Sequence, residues 1–281
     1  MSNDQQPVSA NTVPGSLAQV GVTMRYTFLD YFRSRRFIIL LIIGLLISAL
    51  LTALVGYYRP YTQPLDFYSG WWGATASLVV VLSAIFFGGD AISAEFQNKT
   101  GYFTLPNPVR RSSIYVGKWL AAFAAATVIL LIYAAITVAN GVFYFGANFP
   151  YQFGESMLFA WLYLAAALGF TFLFSSLFKS SSYSILVTAL LLLVAFGIIS
   201  DVVEGLAKVE PWFLLTYGSG IIGNVLTSPY PAHTSPLTGP GGRVLFITYN
   251  ATIPEGLAIM AIYFVVTAAI GLFLFERKEF N

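Results

Sequence analysis

The stretch Phe37–Tyr58, FIILLIIGLLISALLTALVGYY, runs 22 residues without a charged side chain. A helix rises about 1.5 Å per residue, so roughly 20 residues match the roughly 30 Å hydrocarbon layer of a bilayer. The run is longer than the roughly 7–15 apolar residues of a cleaved signal peptide, and it begins well inside the chain. It is one membrane span. Working outward, five more stretches have the same character: Gly70–Gly89, Trp119–Ala139, Ser156–Phe178, Ser180–Ser200 and Gly256–Phe275. None of the 14 Lys+Arg or 12 Asp+Glu lies in any of the six. Inserting a charge at the bilayer centre costs about 2.5–3.5 kcal/mol, which accounts for the exclusion.

The composition of the whole agrees. Of 281 residues, 57 % are hydrophobic and only 9 % charged, against about 25 % charged in soluble domains. Ten-residue segments of alternating polarity, the mark of a membrane β-barrel, are absent. Helices are the remaining way to satisfy the backbone in lipid. The expected fold is all-α and integral to the membrane, with six transmembrane helices. A net charge of +2, with no basic stripe interleaved with aromatics, points away from nucleic acid. Zero Cys excludes disulfides and thiolate chemistry, and the one His, His233, reads as a solvated loop residue rather than part of a histidine-built metal site. No cofactor is expected in this chain.

Basic residues set the orientation. Arg25, Arg33, Arg35, Arg36, Lys99, Arg110, Arg111, Lys118, Lys179, Arg277 and Lys278 fall on one side of a six-span threading. Arg59, Lys208 and Arg243 fall on the other. The rich side, with both termini, is expected to be cytoplasmic, in the cell membrane. Tyr57, Tyr58, Trp71 and Trp72 flank the first outer loop, where an interfacial aromatic belt belongs.

Outside the spans, residues 1–15 are polar and read as a disordered cytoplasmic tail, ahead of one six-helix transmembrane domain over 16–281. Leu17, Val20, Met24, Phe28 and Tyr31 follow helical spacing, and Gln19, Thr23, Thr27 and Asp30 lie off that face. An amphipathic helix in the inner headgroup layer is expected, turning into the first span. The loop Asp90–Lys118 opens with a short helix over Asp90–Gln97 and is broken by Pro106 and Pro108. The outer loop Asp201–Glu255 holds WFLLTYGSGIIGNVL at 212–226, too short to cross and suited to a re-entrant segment before the last span. SPYPAHTSPLTGPGG at 228–242 then reads as a stiff, irregular loop.

The loop after the second span carries a pattern: Asp90, Glu95, Thr100-Gly101, Pro108-Val109-Arg110-Arg111 and Gly117-Lys118. As an ensemble it resembles the type-2 family of ATP-binding-cassette transporter permeases. In that family Gly usually precedes Thr; here Thr100 precedes Gly101. The resemblance implies a permease subunit of an ATP-driven ABC transporter, an exporter, working as a homo- or heterodimer with separate ATPase subunits that bind ATP and Mg. It implies an ATPase-coupling role for Asp90, Glu95, Thr100, Gly101, Pro108, Arg111 and Lys118, and a smaller contact at Phe178–Ser182. The dimer interface would involve spans two and five. Glu95 would pair with a basic residue of the motor or with Arg110 or Arg111 of its own loop. The chain itself has no G-x-x-x-x-G-K-[ST] phosphate loop, so it is not expected to be the ATPase.

Two other classes share parts of this pattern. A non-transporting assembly subunit would share the helices but need no cytoplasmic lever. Phe87-Gly88-Gly89-Asp90 approaches the G-x-G-D of intramembrane aspartyl proteases, but no second carboxylate lies inside a span to complete an acid/base pair.

Overall fold

The structure is a computed structural model, and it describes residues 15–98, 110–147, 149–238 and 244–278. Residues 1–14 of the expected tail, together with Thr100, Gly101 and Pro108, lie outside the described residues.

Among the described residues, six helices are long and apolar enough to cross a membrane. They are α2 (Arg35–Tyr58), α3 (Pro64–Gln97), α4 (Arg111–Phe145), α5 (Gln152–Leu177), α6 (Ser181–Ala207) and α9 (Ile253–Arg277). A separate helix α1 (Ser16–Arg33) precedes them. Two one-turn helices, α7 (Leu215–Gly218) and α8 (Ile221–Asn224), and a hairpin, β1 (Thr234–Thr238) and β2 (Val244–Tyr249), lie between α6 and α9. The expected six-span, all-α membrane fold is the observed one.

Helix α5 is the hub, packed on α9 along most of its length and on α3 and α4. Its alanine-rich middle, including Ala160, Ala166 and Ala167, is fully buried. Small side chains let helices approach closely where lipid supplies no hydrophobic drive for association. Helices α2 and α6 are the least enclosed, 17 % buried each, against 72 % for α3. Leu46, Leu50, Leu186 and Ile198 accordingly face outward, as lipid-facing residues do.

The chain turns between α1 and α2 at Ser34, which has extended backbone (φ −75°, ψ 150°) and caps α2 by accepting from the Phe37 N–H. The expected break is present. Tyr31 of the expected apolar face is buried and Met24 and Phe28 pack on the core, but the start of α1 departs from that pattern. Gln19, assigned to the polar side, is buried, and Leu17 is 88 % exposed. The reason is the neighbour: α1 lies along α4, where Gln19 Oε1 accepts from the Arg110 N–H at 3.1 Å. Gly117 of α4 makes the approach possible, since a Cβ there would come within 2.7 Å of Thr23 Cβ.

The segment at 212–226 folds back among the helices. Leu215, Ile221, Ile222 and Leu226 are essentially fully buried, and α8 packs on α5 and α3. Gly73 and Gly223 allow the closest passage: a Cβ on Gly73 would lie 3.1 Å from Gly223 Cα. This covers Trp71 and Trp72, which are buried rather than belted at the interface. A π-helical turn over Ser69–Gly73 turns both rings inward. Trp72 Nε1 donates to Ser156 Oγ at 2.9 Å, and Ser156 donates to the Ile222 carbonyl at 2.5 Å. Tyr57 and Tyr58 do remain exposed. The irregular loop expected at 228–242 is in part a strand: β1 pairs antiparallel with β2, from Thr234 opposite Tyr249 to Thr238 opposite Val244. The β-branched and aromatic run VLFITY at 244–249 carried that signal.

Candidate functional site

The basic-rich ends of the spans converge on a compact polar knot. Its centre is the C-terminal part of α3. After Gly88 the chain makes one turn through 89–92 and resumes as a short helix, Ser93–Gln97. The expected helix over Asp90–Gln97 is therefore present one turn shorter.

Asp90 sits in the turn and is buried, 4 % exposed. Arg36, at the start of α2, grips both carboxylate oxygens, Nη1 to Oδ1 at 2.5 Å and Nη2 to Oδ2 at 2.6 Å. The forked guanidinium suits this two-pronged geometry. Tyr31 of α1 donates to the Phe87 carbonyl beside it at 2.8 Å. Burial among the nearby Asp90 carboxylate and neighbouring groups pushes the Tyr31 hydroxyl far above its ordinary range, so it stays a donor.

Glu95 pairs with Lys118 of α4, which also donates to the Ala91 carbonyl at 2.9 Å. Within the chain, Glu95 thus pairs with Lys118, where Arg110 or Arg111 was expected. Arg111 turns elsewhere, donating from Nη1 to the Glu276 and Lys278 carbonyls at 2.9 Å each. Lys278 in turn donates to the Ser176 and Phe178 carbonyls at the end of α5, 2.8 Å each, and lies over the Phe96 ring at 4.2 Å.

Three further bonds fix the short helix and the turn before it. Ser175 Oγ, fully buried, accepts from the Ile92 and Ser93 N–H groups at 2.8 and 3.0 Å. Gln97 Oε1 accepts from the Ser181 N–H at 2.7 Å, satisfying a donor at the start of α6. Ser175, Gln97 and Arg36 were not singled out from sequence. Each is an ordinary residue type, and only its distant partner marks it. Alongside the knot lies a cleft of about 540 Å³ between α1 and the end of α3, lined by Tyr26, Asp30, Arg36, Asp90, Glu95 and Lys118 among others.

The short helix is therefore joined by polar bonds to α4, α5 and α6, the turn before it to α2, and Phe87 just ahead of that turn to α1. A family model described as an ABC-2 family transporter protein matches residues 24–280, from within α1 past the end of α9. The chain belongs to the ABC-2 transporter permease family. No curated protein sequence matches it. The family assignment makes this permease a multi-pass membrane subunit of an ABC transporter, as the motif ensemble at 90–118 implied. In the permease, Asp90, Glu95, Arg111 and Lys118 come together at one end of the bundle, where Glu95 pairs with Lys118, Asp90 with Arg36, and Arg111 donates to carbonyls at the end of α9.

Proposed function

We propose that this permease couples ATP hydrolysis on a separate ABC ATPase to export of an apolar or amphipathic cargo, with the short helix Ser93–Gln97 and the segment after it as the docking lever. ATP and Mg would be held by the partner subunit. The basic-rich face would be cytoplasmic, in the cell membrane, and carry both termini. The observation that carries this reading is the bonding of one short helix to three separate spans. Force applied to a helix held by Lys118, Ser175 and Ser181 reaches α4, α5 and α6 together, because hydrogen-bonded, packed elements shift as units.

Asp90 and Arg36 would act as the hinge pin. Glu95 and Lys118 would set the angle of the lever, and Arg111 would tie the end of α9 to the start of α4. Thr100, Gly101 and Pro108 would belong to the docking surface itself. A second permease copy would meet mainly α6 of the two spans expected at a dimer interface, since α3 is enclosed by its own chain.

The test is reconstitution with the ATPase encoded beside the permease. Cargo-stimulated ATPase activity is expected in the unmodified complex and is expected to fall at least about tenfold in Glu95→Ala/Arg111→Ala, with the ATPase still copurifying. Unchanged stimulation and transport in that double variant would remove the coupling assignment.

A further inference from the structure

On the face opposite the polar knot, three side chains from three parts of the outer segment meet. Glu210 follows the end of α6, His233 stands one residue before β1, and Glu255 lies in the first turn of α9. One ligand atom from each lies within 4.8 Å of the others. Among the described residues this is the one group of three or more His, Asp or Glu so arranged.

The hydrogen bonds around the imidazole decide its tautomer. Asn250 donates its N–H to the His233 carbonyl at 2.8 Å, which extends the hairpin by one pair. Its own carbonyl stands 3.0 Å from His233 Nδ1. A carbonyl only accepts, so in the neutral ring Nδ1, which also lies 3.8 Å from Glu255 Oε2, carries the proton and Nε2 presents a lone pair. That lone pair faces Glu210 Oε2 at 3.5 Å. Glu210 is itself oriented, because Tyr217 donates to its other oxygen, Oε1, at 2.8 Å. Glu255 is fixed by its capping of α9, where Oε2 accepts from the Thr252 N–H at 2.9 Å.

A bare imidazole nitrogen aimed at a carboxylate oxygen is two acceptors facing one another, and a cation between them resolves it. The 3.5 Å between His233 Nε2 and Glu210 Oε2 suits a metal, and Glu255, whose Oε2 is nearest Nδ1 at 3.8 Å, completes a set of ligand atoms within 4.8 Å. With bonds of about 2.0–2.2 Å, two ligands of one tetrahedral ion stand roughly 3.4 Å apart. A ring N–H held by a backbone carbonyl, behind a nitrogen left free, is the usual support for a metal-bound histidine. An imidazole in the set favours a zinc-like ion over Mg or Ca, which take oxygen ligands. The side chains are partly exposed, so the ion has a route in from solution.

We infer that Glu210, His233 and Glu255 bind one divalent zinc-class ion, which clasps the end of α6 and the hairpin to the start of α9. With three protein ligands, the fourth position goes to water.

The experiment uses the full chain in detergent, stripped with a chelator and titrated with Zn²⁺ alone by calorimetry. One ion per chain is expected, weakened at least about tenfold in His233→Ala and in Glu210→Gln. Asp201→Asn, on the same face but outside the triad, is expected to bind within about twofold of the unmodified chain. Co²⁺ absorption of the unmodified chain reads the site without any variant, and visible d–d bands saturating at one equivalent are expected. Absence of saturable Zn²⁺ binding, binding unchanged in His233→Ala, or equal competition by Mg²⁺ would each overturn the assignment. None of these results bears on ATPase coupling at the opposite face.

Discussion

Arg36 and Asp90, 54 positions apart, form a two-pronged ion pair at 2.5 and 2.6 Å that fastens the start of α2 to the turn in α3. Its two halves are not equivalent. The Asp90 side chain is 5 % exposed and that of Arg36 is 40 %. Removing Arg36 strands a buried carboxylate, whereas removing the Asp90 charge leaves a guanidinium able to swing into water. Breaking a fully buried pair costs about 3–5 kcal/mol, and the exposure of Arg36 brings Arg36→Ala down to about 2 kcal/mol. Asp90→Asn is expected to cost less than half as much. Thermal unfolding of the two variants in one detergent checks the order, and the reverse order would contradict this account of the pair.

Ser175 holds the short helix by a single hydroxyl oxygen that accepts two N–H groups. Ser175→Ala leaves both donors buried and unpaired, at about 1–3 kcal/mol for such a loss. The effect is expected to be local. Amide hydrogen exchange should speed up most at residues 92–97, with amides in the middle of α5 unchanged. Exchange that speeds up evenly along α5 instead would show that Ser175 supports the bundle rather than the lever.

The six spans were legible because lipid excludes charge, and a charge-free window of about 20 residues has few other readings. Their ends were not. Helix α4 starts at Arg111, eight residues before the expected Trp119, because a helix continues into water wherever its charged residues find partners, and Lys118 and Arg111 do. The aromatic belt illustrates the same limit. Trp71 and Trp72 look interfacial by position and type, but the buried place they occupy is made by Ser156 and Ile222, far away in sequence. At the polar knot the acidic members, Asp90 and Glu95, stood out against an apolar background. Their partners, Arg36 and Lys118, were chosen by folding from several nearby basic residues. The hairpin was hidden by the Pro and Gly around it, although Val244–Tyr249 reads as a strand by itself.

Lys278 gives the knot a pH dependence. Burial at the end of α9, with Lys179 nearby, lowers its amine from 10.5 to about 8. The neutral amine still has two N–H groups, enough for the Ser176 and Phe178 carbonyls. Between pH 8 and 10.5 the unfolded chain holds more protons than the folded one, so stability contributed by this group rises with pH across that window. Below pH 8 both states are charged and the contribution is flat at its lowest. Denaturation midpoints from pH 7 to 10 should therefore rise relative to Lys278→Met, in which this rise is absent. Parallel curves for the two proteins would show that the amine titrates normally.

The contact between α1 and α4 rests on one missing side chain. At Gly117 an added Cβ would lie 2.7 Å from Thr23 Cβ and 3.0 Å from the Val20 carbonyl. Thr23 is itself held, its hydroxyl donating to the Gln19 carbonyl at 2.9 Å, so neither neighbour can retreat by rotating a flexible tip. Gly117→Ala is expected to push the middle of α1 off α4 by some tenths of an ångström, and Gly117→Leu to detach it. The Gln19–Arg110 bond would go with it, and overpacking of this kind costs about 1–3 kcal/mol. Trypsin should then cut at Arg25 at least about tenfold faster in Gly117→Leu than in the unmodified chain. The bundle of α2–α6 and α9 does not depend on Gly117, so helical content by circular dichroism should change little. A protected Arg25 in Gly117→Leu would mean that α1 is held by lipid or by α2 rather than by its fit to α4.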